Sequence, residues 1–286
     1  MQFQDRHILI TGASGGIGAA LALQLARRGA RLLLHGRNQK ALQEIAAACS
    51  NEGCPSVLTC AADLTTEQGR QRLVDTVSTS FTALDTLINN AGTGCFALFE
   101  QQSPEQIETL ISTNITAPIL LTRALIGPLM ANADPRILNI GSAFGAIGFP
   151  GYTTYCASKG ALRLFSESLA REYADTSLKV QYLAPRATRT AINSERANQM
   201  LKATGSQSDA PVTVAEAAIK LLASGKAQAA IGWPEKLLVR LNGLRPELIS
   251  AVLRRQLNKI KPYAQVPEPP LAERSFAKQP LKQKGA

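Results

Sequence analysis

The chain has 286 residues, of which 45% are hydrophobic and 18% charged, a globular composition that excludes disorder of the whole chain. No uninterrupted apolar run is long enough to span a bilayer, and the start MQFQDRHILITG lacks the basic lead and apolar core of a secretory signal. Cys49, Cys54, Cys60, Cys95 and Cys156 are odd in number and lack paired spacing. They read as reduced thiols of a cytoplasmic protein, and not as disulfides or a zinc site. With His7 and His35 as its histidines, the sequence excludes a three-histidine metal centre. The net charge is +10, but residues 236–286 hold 11 basic and 3 acidic side chains, while the first 235 hold 20 and 18. The body is thus nearly neutral. No zinc-finger spacing or RNA-binding aromatic motif accompanies the basic end, so nucleic acid is not expected as a partner.

Apolar runs alternate with helical patterns along the chain. HILIT (7–11) is a strand that enters a glycine turn, and 17–28 a helix stopped by Gly29. RLLLH (31–35) is a second strand, and 38–49 a helix with Asn38 as its N-cap. VLTCAA (57–62) is a third strand, 66–80 a helix, and DTLINNAG (85–92) a strand ending in a turn. A long helix over 104–131 should bend at Gly127-Pro128. RILNIGS (136–142), a helix over 152–174, LKVQYLA (178–184), a helix over 213–224 and AQAAIG (227–232) follow. Such alternation predicts an α/β fold: a doubly wound parallel sheet covered on both faces, as one domain over 1–235. Residues 236–262 read as amphipathic helices broken at Gly243 and Pro246, and 263–286 as a tail with little order.

The first strand leads into TGASGGIG (11–18) and then a helix, the context that gives a glycine pattern meaning. Gly12 lets the chain turn, Gly16 lets backbone amides approach a pyrophosphate, and Gly18 lets the helix sit close to the sheet. Ser14 and Ile17 belong to the same candidate cofactor contact. The end of the second strand carries His35-Gly36-Arg37 in place of the carboxylate that holds a free ribose. Arg37 can pair with a 2′-phosphate, so NADP(H) is expected over NAD(H). His35 reads as a strand-end residue with a possible part in phosphate binding.

Further on stand Asn89-Asn90-Ala91-Gly92, Ser142, and Tyr155-Cys156-Ala157-Ser158-Lys159. With TGASGGIG, these motifs in this order resemble the short-chain dehydrogenase/reductase family in its single-domain branch, over about residues 5–232. Tyr155 and Lys159 share one helix face. An ammonium beside a phenol should lower its pKa, so that Tyr155 acts as general acid in carbonyl reduction or general base in alcohol oxidation. Ser142 can donate to the developing oxyanion, or simply cap a helix.

The resemblance adds roles residue by residue. Lys159 would also hold the nicotinamide ribose, and Asn114 would support a water relay to it. Asp63, with Leu64 beside it, would contact adenine, and Asn89, Ala91 and Gly92 would line the adenosine side. Thr188 and Thr190 would bind the carboxamide. Taken singly, Asn114 is equally a local helical polar residue and Asp63 a turn residue or helix cap. The resemblance also implies a homodimer or homotetramer.

Two departures stand out. Arg186 occupies the position where the family has glycine, and with Arg189 it suggests an anionic group on the substrate or cofactor. The chain end WPEKLLVRLNGLRPELISAVLRRQLNKIKPY resembles the divergent C-terminal helices of hydroxysteroid-dehydrogenase-like members. Leu248, Ile249, Val252, Leu253 and Leu257 would form one apolar stripe. Three uses compete for it: covering the cleft, dimer contact, or weak peripheral docking on anionic lipid. Cys95, Phe96, Phe99, Phe144, Ile147, Phe149 and Tyr152 would border the substrate, with Ser142 and Tyr155, which favours a hydrophobic carbonyl or alcohol. Polar residues 191–212 are expected to form a mobile lid. The favoured function is an NADPH-dependent carbonyl reductase, or the reverse alcohol dehydrogenase. The alternative is a non-enzymatic NADP(H)-binding scaffold or redox sensor.

Overall fold

In this computed structural model, which describes residues 2–265, strand and helix alternate from the start. The order is β1 (His7–Ile10), α1 (Gly16–Ala26), β2 (Arg31–Gly36), α2 (Gln39–Asn51), β3 (Val57–Ala61), α3 (Glu67–Ser80) and β4 (Thr86–Asn89). Then come α4 (Pro104–Ile111), a wide π turn over Ser112–Thr116, α5 (Ala117–Met130) and β5 (Arg136–Ile140). α6 (Thr153–Glu172), β6 (Lys179–Ala184), α7 (Glu195–Ala203), α8 (Pro211–Ser224) and β7 (Gln228–Ala230) complete the body. α9 (Glu235–Leu244) and α10 (Pro246–Ala264) follow.

Among the described residues the strands form one seven-stranded parallel sheet, in the order β3-β2-β1-β4-β5-β6-β7. The expected doubly wound α/β fold is thus the fold observed. Side chains alternate across the sheet. Ile8 and Ile10 enter a core with Leu21, Leu25, Val214 and Leu222, while Leu9 enters the opposite core with Leu73, Leu121 and Leu125. Burial on both faces is why these strands read as unbroken apolar runs. Each such side chain contributes about 1.5–3 kcal/mol by leaving water. Strand order reverses between β1 and β4, and a crevice opens there beyond their carboxyl ends.

Four expectations change. The helix over 104–131 is interrupted at Ser112–Thr116, and it runs on through Gly127 and Pro128. Pro104–Met130 is long and apolar enough to cross a membrane, but Leu110, Leu121, Leu125 and Leu129 are buried in the protein, as in a core helix. Residues 191–212 contain α7, whose N-terminus is capped by Ser194 Oγ, accepting from the Ala197 amide at 3.1 Å. Ala197 and Met200 pack with Ile260 and Ala264 of α10, so this stretch contains a helix that the sequence reading does not place there. Third, the apolar stripe of α10 is too wide to be one face. Ile249 is buried and Leu253 and Leu257 half-buried, whereas Leu248 and Val252 are exposed.

Fourth, α9 starts at Glu235 and α10 reaches Ala264, slightly beyond the expected 236–262. Of the expected tail over 263–286, residues 266–286 lie outside the described residues. Two bonds fasten this end to the body: the Leu98 amide donates to Ala264 O at 2.9 Å, and Asn242 Nδ2 to Ala146 O at 2.8 Å. Ile260 is fully buried in that contact. Ile260→Ala is therefore expected to cost about 2–5 kcal/mol in urea unfolding, where a surface position would cost about 0.5 or less.

Candidate active site

The turn from β1 into α1 is built for close backbone approach. Gly12 has φ +65°, and a Cβ there would lie 2.8 Å from Ala91 Cα. Thr11 Oγ1 accepts from the Asn90 and Ala91 amides, each at 3.0 Å, and Asn90 Nδ2 donates to Thr11 O at 2.9 Å and Gly12 O at 3.0 Å. The β4 turn thereby pins the glycine turn. A Cβ on Gly18 would collide with the Gly12 carbonyl, so Gly18 packs the helix onto the turn and does not line the cavity. α1 has no side-chain N-cap and no acidic residue in its first turn. Those open amides at a helix N-terminus fit the phosphates of a dinucleotide.

Ser14, Gly16 and Ile17 line one end of a cavity of about 1170 Å³. His35, Arg37, Asp63 and Leu64 border the same end, as do Ala91 and Gly92. His35 is neutral: burial pushes its pKa down to about 4, so it is no phosphate-binding cation. Its Nε2 lies 3.1 Å from Ala62 O, and its buried Nδ1 has no partner among the described residues. Burial opposes the charge on Asp63, but bonds from the Thr65 amide (2.9 Å) and hydroxyl (2.8 Å), with Arg37 nearby, keep its pKa low. Asp63 is thus a turn residue that also borders the cavity, and Thr66 caps the helix. Asn89 does not reach the cavity. Its Nδ2 donates inside the core to Thr122 Oγ1 (3.1 Å) and Asn139 Oδ1 (2.8 Å). Strand alternation turns Asn89 into the core, and the next residue, Asn90, lines the cavity.

At the other end, Lys159 Nζ lies 5.8 Å from the Tyr155 ring centre and donates to Ile140 O at 3.2 Å. Ser142 faces the Tyr155 phenol and acts to lower its pKa, and its Oγ accepts from the Phe144 amide at 3.1 Å. Ser142 therefore caps the short turn at Ala143–Gly145 while bordering the cavity. Tyr182, absent from the sequence-based set, holds the Ser142 backbone: its hydroxyl accepts from the amide at 3.2 Å and donates to the carbonyl at 3.3 Å. Asn114 sits in the π turn, fully buried. Its Oδ1 accepts from the Thr93 amide at 2.9 Å, and its Nδ2 donates to Thr93 O (2.9 Å) and Ser158 Oγ (3.0 Å). With its side chain so committed, Asn114 stands behind the cavity wall. A Cβ on Gly92 would lie 3.2 Å from Asn114 Oδ1 and 3.5 Å from Lys159 Nζ, so this glycine leaves room for both.

The expected fall in the Tyr155 pKa is not observed. Burial pushes the phenol up, against the effect of Ser142, and it pushes Lys159 down to about 8. Desolvation dominates at both groups, so the phenol stays protonated.

Phe144, Ile147, Phe149 and Tyr152 line the cavity beside Tyr155, and Cys95 and Phe96 join them. Phe144 stacks on Phe149 at 4.9 Å between ring centres. Phe99 is 59% exposed and lies off the cavity, displaced by a short turn at Phe99–Gln101. Thr188 and Thr190 also line it, and Thr190 packs on Gly16. Arg186 is not available to a substrate anion. It forms a bidentate pair with Asp209 (3.0 and 2.8 Å) and an ion pair with Glu235 at 3.5 Å, and Arg189 donates to Ser208 O.

A crevice at a strand-order reversal, with an anion-ready helix end and a half-buried tyrosine beside a buried lysine, defines an NAD(P)-dependent oxidoreductase. Known proteins agree. The profile of the family described as short chain dehydrogenase matches residues 6–201. The 3-oxoacyl-(acyl-carrier-protein) reductase FabG of Haemophilus influenzae is 33% identical over 182 residues, 64% of this chain and 74% of its own. A short-chain dehydrogenase from Sphingobium yanoikuyae in complex with NADPH superposes with a TM-score of 0.73 at 31% identity, covering 86% of this chain and 95% of that one. Another from Burkholderia phymatum, in complex with NAD, has a TM-score of 0.79 at 22% identity, covering 87% and 96%, a likeness of fold alone. This chain belongs to the short-chain dehydrogenase/reductase family.

The kcat/KM for the reduced coenzyme reports groups of the free enzyme. Lys159 is cationic below about 8 and loses its proton above it, while the phenol stays protonated. Reductive kcat/KM for the coenzyme is therefore expected to be level below that pH and to fall as pH rises through it. A level profile up to the ordinary lysine range would show that Lys159 does not titrate there.

Proposed function

We propose that the protein is an NADPH-dependent reductase of a hydrophobic ketone or aldehyde, able to run the reverse alcohol oxidation. The observation that carries this reading is the Ser142–Tyr155–Lys159 cluster at the floor of an aromatic cavity. When bound, the coenzyme supplies the hydride. The open amides of α1 hold its phosphates, and Arg37 supplies the charge that selects a 2′-phosphate. The complex of the Sphingobium relative with NADPH supports that choice. Lys159 donates to a ribose hydroxyl, and Gly92 keeps space open beside it. Ser142 Oγ donates to the substrate carbonyl oxygen and stabilises the charge that develops there. Tyr155 gives its hydroxyl proton to the same oxygen, and its raised pKa favours this protonated form. Phe144, Phe149 and Tyr152 exclude water from the reacting carbonyl and set the preference for apolar substrates.

Tyr155→Phe is expected to lower kcat by about a hundred- to ten-thousandfold with hydrophobic carbonyl substrates, while NADPH binding persists. Surviving activity would refute the proton-donor role, and absence of activity in the wild type across ketones and aldehydes would favour a binding scaffold. Arg37→Ala is expected to weaken NADPH binding by about ten- to a hundredfold and leave NADH unchanged, read by coenzyme titration. A wild-type preference for NADH would overturn the coenzyme assignment.

A further inference from the structure

The C-terminal helices turn one face into the cavity and another outward. Pro234 and Leu238 beside or in α9, and Ile249 and Leu253 in α10, line the cavity wall. On their outer faces Trp233 is 69% exposed, Leu237 50%, Leu244 79%, Leu248 53% and Val252 51%. Leu237 and Leu244 are two helical turns apart, with Arg240 between them on the same side of α9. Leu248, Val252, Arg255 and Lys259 follow the i, i+4, i+7, i+11 spacing of one stripe along α10. Arg240, Arg255 and Lys259 are exposed, as are Lys236, Arg245, Arg254 and Lys261. Against these seven cations, residues 235–264 hold two carboxylates, Glu235 and Glu247, and the first is engaged by Arg186.

We propose that this α9–α10 surface docks on an anionic lipid surface. A large exposed apolar ridge interleaved with cations matches the interface between lipid headgroups and acyl chains, where leucine and tryptophan enter and lysine and arginine meet phosphate. Charge decides against a second copy of the same surface, because two such faces would bring like charges together. The last residues of the chain do not offset it either: 266–286 carry four basic and two acidic side chains. Val252 belongs both to the exposed ridge and to the cavity lining, so docking places the cavity wall against lipid, where an apolar substrate partitions. The docking itself does not rest on the reductase reading.

Trp233 is the one tryptophan of the chain and lies in this ridge, so its fluorescence reports the contact directly. The full-length protein is mixed with vesicles of phosphatidylcholine alone and of equimolar phosphatidylcholine and phosphatidylglycerol. A blue shift and co-sedimentation with the anionic vesicles, reversed by salt, are expected. Arg240→Ala is expected to weaken the binding about fivefold. The combined variant Leu237→Ser, Leu244→Ser, Leu248→Ser is expected to abolish it while NADPH affinity persists. No binding at low salt overturns the proposal, as does equal binding to both vesicles or binding retained by the triple variant. A wild-type dimer that the triple variant dissolves, without vesicle binding, would assign the ridge to a second copy instead. Because none of these readouts requires turnover, they separate failure of docking from failure of the reductase reading.

Discussion

The catalytic end depends on the burial of a cation. Lys159 is 5% exposed, and its ammonium has three donors, of which Ile140 O takes one among the described residues. Removing such a group from water is costly unless other acceptors meet it, which is why its pKa falls to about 8. The folded state therefore holds this proton less tightly than the unfolded chain, and the penalty for folding with it is relieved as pH rises between the two pKa values. A dinucleotide whose ribose hydroxyls reach the lysine would offer it further acceptors and so relieve the same penalty. Tyr155 shares this desolvation with the opposite effect on its charge: the phenol stays neutral, in the form that donates a proton.

Around that pair the structure repeatedly uses backbone irregularity to place polar groups. A π turn carries Asn114 to Thr93 and Ser158, and this fixes the loop after β4 against the helix that bears Tyr155 and Lys159. Tyr182 comes from β6 and grips the backbone of Ser142 after β5, so this residue is held by a neighbouring strand. Gly92 keeps the facing wall low. The β4–β5 and β5–β6 crossovers and strand β6 therefore converge on one small volume, and the parallel topology is what brings them together.

Much of this was legible in the residues. TGASGGIG declared its turn because a strand precedes it and a helix follows, and Tyr155 and Lys159 declared a common face by their spacing. The continuous apolar runs declared a sheet covered on both sides. What escaped depended on long-range packing. Nothing local distinguishes Asn89 from Asn90; the pleat of β4 sends one into the core and the other to the glycine turn. The π turn leaves no mark that a helical periodicity would show. α7 buries few side chains, and its helix is stabilised by α10, far along the chain. A phenol beside an ammonium suggested acidification, but relative burial cannot be read from spacing, and burial decided the sign.

Arg186 shows how the departures join into one arrangement. A glycine at that position would let the backbone follow a free path; the arginine instead ties three segments, through Asp209 after α7 and Glu235 at the start of α9. Its charge is consumed inside the protein, partly buried, where paired carboxylates stabilise it. The C-terminal extension starts at that anchor. Leu98 and Asn242 complete its attachment, and α10 then closes one side of the cavity. A loop substitution that looked like a clue to substrate charge is better understood as the fastening that lets two added helices become a wall of the site. Apart from Glu235 and Gln256 the wall is apolar, so the extra helices mainly enlarge the hydrophobic side of the cavity.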